Sequence, residues 1–130
     1  MKGIFLLLSL SLLLAMACDT SDDFKLGTPF TMEPGQELKN KTAKLTVKWI
    51  EVAEDSRCPK NTNCVWEGQA KISLLANGDP MTLILRDGKP EEARINRGGY
   101  VFEAIQLNPY PDGAVIDPTQ YRLQLLISSL

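Results

Sequence analysis

Thr42-Ala-Lys-Leu-Thr-Val-Lys-Trp-Ile-Glu-Val52 is the stretch that decides the fold. Leu45, Val47 and Trp49 are apolar and alternate with Thr46 and Lys48. A strand turns successive side chains to opposite faces, so this period of two predicts a strand with one face in a core. The phase then slips, because Ile50 and Val52 are apolar while Glu51 is polar. A one-residue slip is the sequence mark of a β-bulge.

The same alternation recurs on the C-terminal side. Ala70, Ile72 and Leu74 alternate with Lys71 and Ser73. Asn77-Gly78-Asp79-Pro80 reads as a turn. Met81 to Arg86 is apolar on both faces, as expected of a central strand. Asp87-Gly88 is a hairpin dipeptide. Pro90 behind it makes Ala93 to Asn96 a weak or edge strand. After Gly98-Gly99, the residues Tyr100, Phe102 and Ala104 alternate, and Leu107 resumes the pattern after a slip at Ile105. Asn108 to Gly113 is a long turn. Tyr121, Leu123, Leu125 and Ile127 share one face of a last strand, opposite Arg122 and Gln124. On the N-terminal side, Phe24 to Asn40 carries Pro29, Pro34 and Gly35 and reads as one short edge strand broken by a turn. No segment keeps a helical period in this body. The expectation is an all-β domain over residues 28–130: a single antiparallel β-sandwich, immunoglobulin-like, or a barrel of about seven strands.

Composition narrows function. The chain has 130 residues, and 14 Lys+Arg against 16 Asp+Glu leave a net charge of -2. No basic stripe is present, so no nucleic-acid partner is expected. There is no histidine, which removes the commonest general base, transition-metal ligand and pH switch. Glu51, Glu54, Asp55 and Glu67 could offer a carboxylate pair, but a solvated acidic rim accounts for them better. Asp112 with Asp117, or Glu54 with Asp55, could serve calcium, yet neither pair has the spacing of a known loop. No catalytic residues, metal or cofactor are assigned.

The first residues carry an address. Lys2 precedes the apolar run Ile4 to Leu14, which is short for a bilayer span of ~20 residues. Ala15-Met-Ala17 and then Cys18 follow. Leu14-Ala-Met-Ala-Cys18 resembles the lipobox of bacterial lipoproteins, with Ala15 where leucine is usual. The resemblance implies a signal peptide over residues 1–17, an acylated Cys18 at the mature terminus, and a membrane partner for its acyl chains. Three cysteines leave one odd, and lipidation of Cys18 leaves an even pair. Residues 18–27 read as a flexible tether. Its acidic start resembles the surface-export signals of lipoproteins, although a plain solvated spacer has the same composition. The expected location is the bacterial cell envelope, in the outer membrane or at the cell surface rather than the inner membrane.

Asp55-Ser-Arg-Cys-Pro-Lys-Asn-Thr-Asn-Cys-Val-Trp-Glu-Gly68 is the second informative stretch. Cys58 and Cys64 pair by default in an exported chain. Zinc would need further ligands, and a redox pair would need closer cysteines. Trp66 is expected to pack inward beside the disulfide, as a strand residue two after Cys64. Gly68 is expected at a bulge or a positive φ. Arg57 can pair with Asp55, Glu54 or Glu67; alternatively Arg57, Lys60 and Trp66 form an exposed recognition tip. Tyr110, between Pro109 and Pro111, is a further recognition candidate. The pattern of Asp55 to Pro59, Cys64 to Trp66 and Gly68, with the closing Tyr121 to Leu125, is similar to that of a family of small exported bacterial proteins, many of them lipoproteins. That resemblance implies location and an all-β fold and lends no catalytic residues. The functional expectation is a lipid-anchored, non-catalytic binding or accessory module with an envelope protein or glycan partner. The alternative is an inhibitor of an exported hydrolase, acting through Lys60 on the disulfide loop.

Overall fold

The computed structural model describes residues 23–130, so Cys18 and the apolar run before it lie outside the described residues. Eight strands follow one another: β1 (Phe30–Met32), β2 (Glu37–Asn40), β3 (Leu45–Asp55), β4 (Ala70–Ala76), β5 (Asp79–Leu85), β6 (Arg94–Arg97), β7 (Tyr100–Asn108) and β8 (Arg122–Ser129). They make two four-stranded sheets, ordered β2-β3-β4-β5 and β1-β8-β7-β6. Every pairing is antiparallel. The all-β sandwich stands. Apart from β1 with β8, each strand pairs only with a chain neighbour, so the order is an up-and-down meander rather than a Greek key.

The core lies between the sheets. Val47, Trp49, Ile72, Leu74 and Leu83 face Met32, Phe102, Leu107, Leu123, Leu125 and Ile127, all fully buried. Each such side chain contributes roughly 1.5–3 kcal/mol of transfer free energy, so alternation on facing sheets is enough to drive closure. The indole N–H of Trp49 is buried with no acceptor among the described residues.

Both predicted phase slips are breaks in the ladder. The β3–β4 register shifts between Trp49 and Glu51, and the β7–β8 register shifts between Ala104 and Gln106. The extra residues, Ile50 and Ile105, are left exposed. A bulge restores the inward phase at the cost of one outward apolar side chain.

Four expectations change. Phe24 to Asn40 is two strands in different sheets, β1 against β8 and β2 against β3. Residues 23–27 belong to the folded body rather than to a tether: Phe24 is buried and stacks on Phe30 at 4.7 Å, and Asp23 N–H donates to Lys39 O. β5 is an edge strand, not a central one. Asp87-Gly88 makes no hairpin, because β5 and β6 lie in different sheets; the chain crosses through a 3-10 turn at Pro90–Ala93, which buries Ala93. The two-residue hairpins turn at Asn77-Gly78 and Gly98-Gly99, with φ of 49° and 85°, and 59° and 85°. Both positions of a two-residue hairpin turn need positive φ, which glycine and asparagine supply.

This topology gives the sandwich two unlike ends. One pole holds the tight turns at 41–44, 77–78 and 98–99, and there Gly27 N–H reaches Ile127 O and Asn40 Nδ2 reaches Phe24 O. The opposite pole holds the long connections 56–69, 86–93 and 109–121. The sequence stretch with two cysteines lies at this loop pole.

Candidate functional site

The loop pole is built on a buried ion pair. Arg57 is only 6% exposed. Its Nε and Nη2 donate to the two oxygens of Asp55 at 2.8 and 2.7 Å. Its Nη1 donates to Leu107 O at 2.8 Å, and Nη2 also reaches Pro109 O at 3.1 Å. The planar fork of a guanidinium suits a bidentate carboxylate and leaves donors for the carbonyls behind it. Tyr121 adds a third anchor, donating from its hydroxyl to Asp55 Oδ2 at 2.8 Å. Asp55 ends β3, Leu107 lies in β7, and Tyr121 precedes β8. One arginine therefore ties the cysteine loop to the other sheet.

The electrostatics follow. Burial works against charge on Asp55, but the hydrogen bonds from Arg57 and Tyr121 outweigh it and hold the carboxyl below its usual range. Burial, then the bond to Asp55, pushes the Tyr121 hydroxyl up to about 12. Tyr110 lies with its ring 5.0 Å from the Arg57 guanidinium carbon and donates to Asp87 Oδ2 at 3.2 Å. Burial, then the Asp87 carboxylate, raises its pKa.

Beyond Arg57 the chain forms the ring. Cys58 and Cys64 are joined, with Cα atoms 5.9 Å apart. Lys60 N–H donates to Pro111 O at 2.9 Å, which seats the ring on the 109–121 loop, while the Lys60 side chain is exposed. The backbone bends at Asn61, with φ of 59°. Gly68 has φ of +68°, and a Cβ there would lie 2.0 Å from Ser56 O. No other residue type fits that approach. Ser56 N–H donates to Gln69 O at 2.7 Å, and Gln69 N–H returns to Ser56 Oγ at 3.2 Å. The two ends of the loop are thus clamped together just before β4 begins.

The sequence candidates sort unexpectedly. Arg57 is not an exposed tip; it is the internal tie. Trp66 is not an inner anchor; it is 64% exposed, beside Val65 at 93%. The residues from Cys64 to Gln69 form no strand, so the two-residue parity that placed Trp66 beside the disulfide does not operate. Gly68 holds the predicted positive φ. Tyr110 is half-buried on Arg57 rather than held outward. Lys60 stands on the surface and does not line the depression beside Trp66.

That depression is open, about 400 Å³, and is lined by Ser56, Val65, Trp66, Glu67, Gly68, Gln69 and Arg86. Its polar floor is pre-set. Arg86 bonds to the Gln69 side-chain oxygen and pairs with Glu92 at 3.2 Å. Gln69 Nε2 reaches Glu54 Oε1 at 3.4 Å, and Lys71 pairs with Glu54 at 2.8 Å. Hydrogen bonding from Lys71, then Ser56, holds the Glu54 carboxyl below its usual range. Parity counting missed Arg86 and Gln69; the β4–β5 hairpin brings them together, one step beyond the Ala70–Leu85 pair. No group of three or more Cys, Asp or Glu side chains able to hold a metal occurs among the described residues. No described helix is long and apolar enough to cross a membrane. Compared with protein-family models, curated proteins and solved structures, this chain matched none.

Proposed function

We propose that this chain is a lipid-anchored, non-catalytic module of the bacterial cell envelope, whose recognition surface is the loop pole. The observation that carries the reading is the polarity of the sandwich. Residue 23 enters at the pole of tight turns, next to Lys39. β3 then runs eleven residues to Asp55 at the other pole. At about 3.3 Å per residue that is roughly 30 Å once its bulges are allowed for. A chain held by Cys18 at one end would present the braced, Trp66-bearing loop away from the membrane. Cysteine usage supports the anchor: with Cys58 and Cys64 joined, Cys18 is the odd one of three. An odd thiol in an oxidising compartment has a use in lipidation. The outer membrane or cell surface is the location this reading favours.

The inhibitor alternative has less behind it. Lys60 lies beside a left-handed Asn61, so its backbone is bent rather than extended.

Two measurements test the proposal. Growth with an alkyne fatty acid should label the wild type and leave Cys18→Ala unlabelled. A photo-cross-linker placed at the exposed Lys60 of the loop pole in intact cells should capture envelope material, and one placed at the exposed Asp79 of the opposite pole should not. Equal capture from both poles, or labelling that survives loss of Cys18, rejects it.

A further inference from the structure

Trp66 is a large apolar side chain left in water on a loop that is otherwise carefully held. The disulfide fixes one side of that loop. The Gly68–Ser56 approach and the paired Ser56–Gln69 bonds fix the other. The indole's exposure is therefore a property of a rigid frame and not of a loose tip. Rigid presentation lowers the ordering cost of binding. The other exposed apolar residue here, Val65, widens the same face.

We propose that the Trp66 depression binds a neutral saccharide, the indole stacking on the C–H face of one pyranose ring. This rests on the loop pole being the recognition end, and it names the ligand class of that end. The lining has the mixed character a sugar needs. A pyranose has an apolar face and a rim of hydroxyls, so it asks for one flat aromatic and a few planar polar groups beside it. Trp66 supplies the aromatic. Glu67 is exposed and forms no ion pair among the described residues, so its two oxygens can accept from vicinal hydroxyls. The Gln69 amide and the Arg86 guanidinium are already oriented by each other and by Glu92. They present remaining N–H donors without having to be ordered.

Charge selects a neutral ligand. Arg86 is balanced by Glu92, and the exposed Glu67 carboxylate would repel an anionic sugar. An apolar peptide side chain fits poorly, because the depression is shallow and its walls beyond Trp66 and Val65 are polar. A lipid surface fits poorly too, since the residue nearest Cys18 enters at the opposite pole.

The test uses the full-length protein purified in detergent. Native gels containing α-mannan, xyloglucan, β-1,3-glucan or starch are run beside gels containing alginate. At least one neutral polysaccharide should retard the wild type, and alginate should not. Trp66→Ala should weaken that binding at least tenfold, Trp66→Phe should keep part of it, and Glu67→Gln should weaken it severalfold. Asn77→Ala should be unchanged. Thermal unfolding of Trp66→Ala confirms that the variant is folded. No retardation by any neutral polysaccharide overturns the proposal, as does equal retardation of Trp66→Ala. So does Trp66-dependent flotation with phosphatidylcholine–phosphatidylglycerol vesicles, or Trp66-dependent self-association in sedimentation, without polysaccharide binding. The outcomes separate cleanly. Retardation without fatty-acid labelling removes the anchor alone; cross-linking from the loop pole without retardation removes the saccharide alone.

Discussion

Replacing Arg57 with alanine should come close to unfolding this domain. The side chain makes two bonds to Asp55, whose own side chain is 9% exposed, and serves the carbonyls of Leu107 and Pro109. Truncation leaves a buried carboxylate with the Tyr121 hydroxyl and a long bond from the residue-57 backbone N–H at 3.4 Å. Breaking a buried pair from one side costs about 3–5 kcal/mol. Water can enter at the loop pole and recover part of the loss at the two carbonyls, so about 4 kcal/mol is the working figure. Typical domains have only ~5–15 kcal/mol in all. At ~4–8 °C per kcal/mol, the melting temperature should fall by roughly 15–30 °C. The assay is urea unfolding followed by circular dichroism, run as a cycle with Asp55→Ala and the double variant. The singles should each be costly, and the double should cost about 2–3 kcal/mol less than their sum. Arg57→Lys, which keeps charge but loses the fork, gives a measurable intermediate if Arg57→Ala does not fold. A loss under about 1 kcal/mol for Arg57→Ala, or strict additivity, refutes the internal tie.

Four further outcomes are expected. The Asp55 carboxyl is depressed in the fold, so its stabilisation is present above the unfolded carboxylate pKa of about 3.9 and is lost as pH falls through the lower folded value; Asp55→Asn should flatten that acid limb in a pH series of urea midpoints. Tyr121 has the opposite sign: its contribution holds below about 10 and disappears as pH rises towards its folded value of about 12, so Tyr121→Phe should lose the alkaline slope between those limits. Gly68→Ala should destabilise by more than about 2 kcal/mol, because strain at positive φ adds to the contact with Ser56 O, whereas Gly113→Ala, with open space around it, should cost only about 1 kcal/mol in thermal melts. Replacing both Cys58 and Cys64 by serine should cost about 2 kcal/mol and leave the β-sheet circular dichroism intact, since the ring is small and the core does not depend on it.

Alternation was the legible part of this chain. The single-residue slips at Ile50 and Ile105 could be read as bulges because a strand's period leaves no other way to restore phase. Ends and edges were less legible. β1 and β2 are three and four residues long, too short for a period, so nothing marked the step from one sheet to the other between them. Met81 to Leu85 is apolar on both faces yet lies at an edge, because the turn at Pro90–Ala93 covers part of it. The site was read with its two key side chains reversed. Arg57 is drawn in by acceptors 50 and 52 residues along the chain, which no local pattern displays. Trp66 is put out because Gly68 breaks the strand that parity assumed. The Asp55–Arg57 pairing was one of three open in the sequence, since Glu54 and Glu67 are also near Arg57 and opposite in charge, and the fold selects Asp55.

The up-and-down order also sets a schedule for assembly. All pairings of the β2-β3-β4-β5 sheet fall within residues 37–85, between chain neighbours. That sheet can zip between chain neighbours, closing the short turns at 41–44 and 77–78 and one longer loop at 56–69, and contacts so near in sequence are the fast kind to form. β1 is the exception. Its partner β8 is the last strand in the chain, so Phe30 and Met32 wait for Leu125 and Leu123 until everything between has been made. For a chain crossing a membrane from its N-terminus, Met32 enters the compartment early and is among the last core residues to be covered. During that interval it is one of the apolar surfaces a chaperone in that compartment would find.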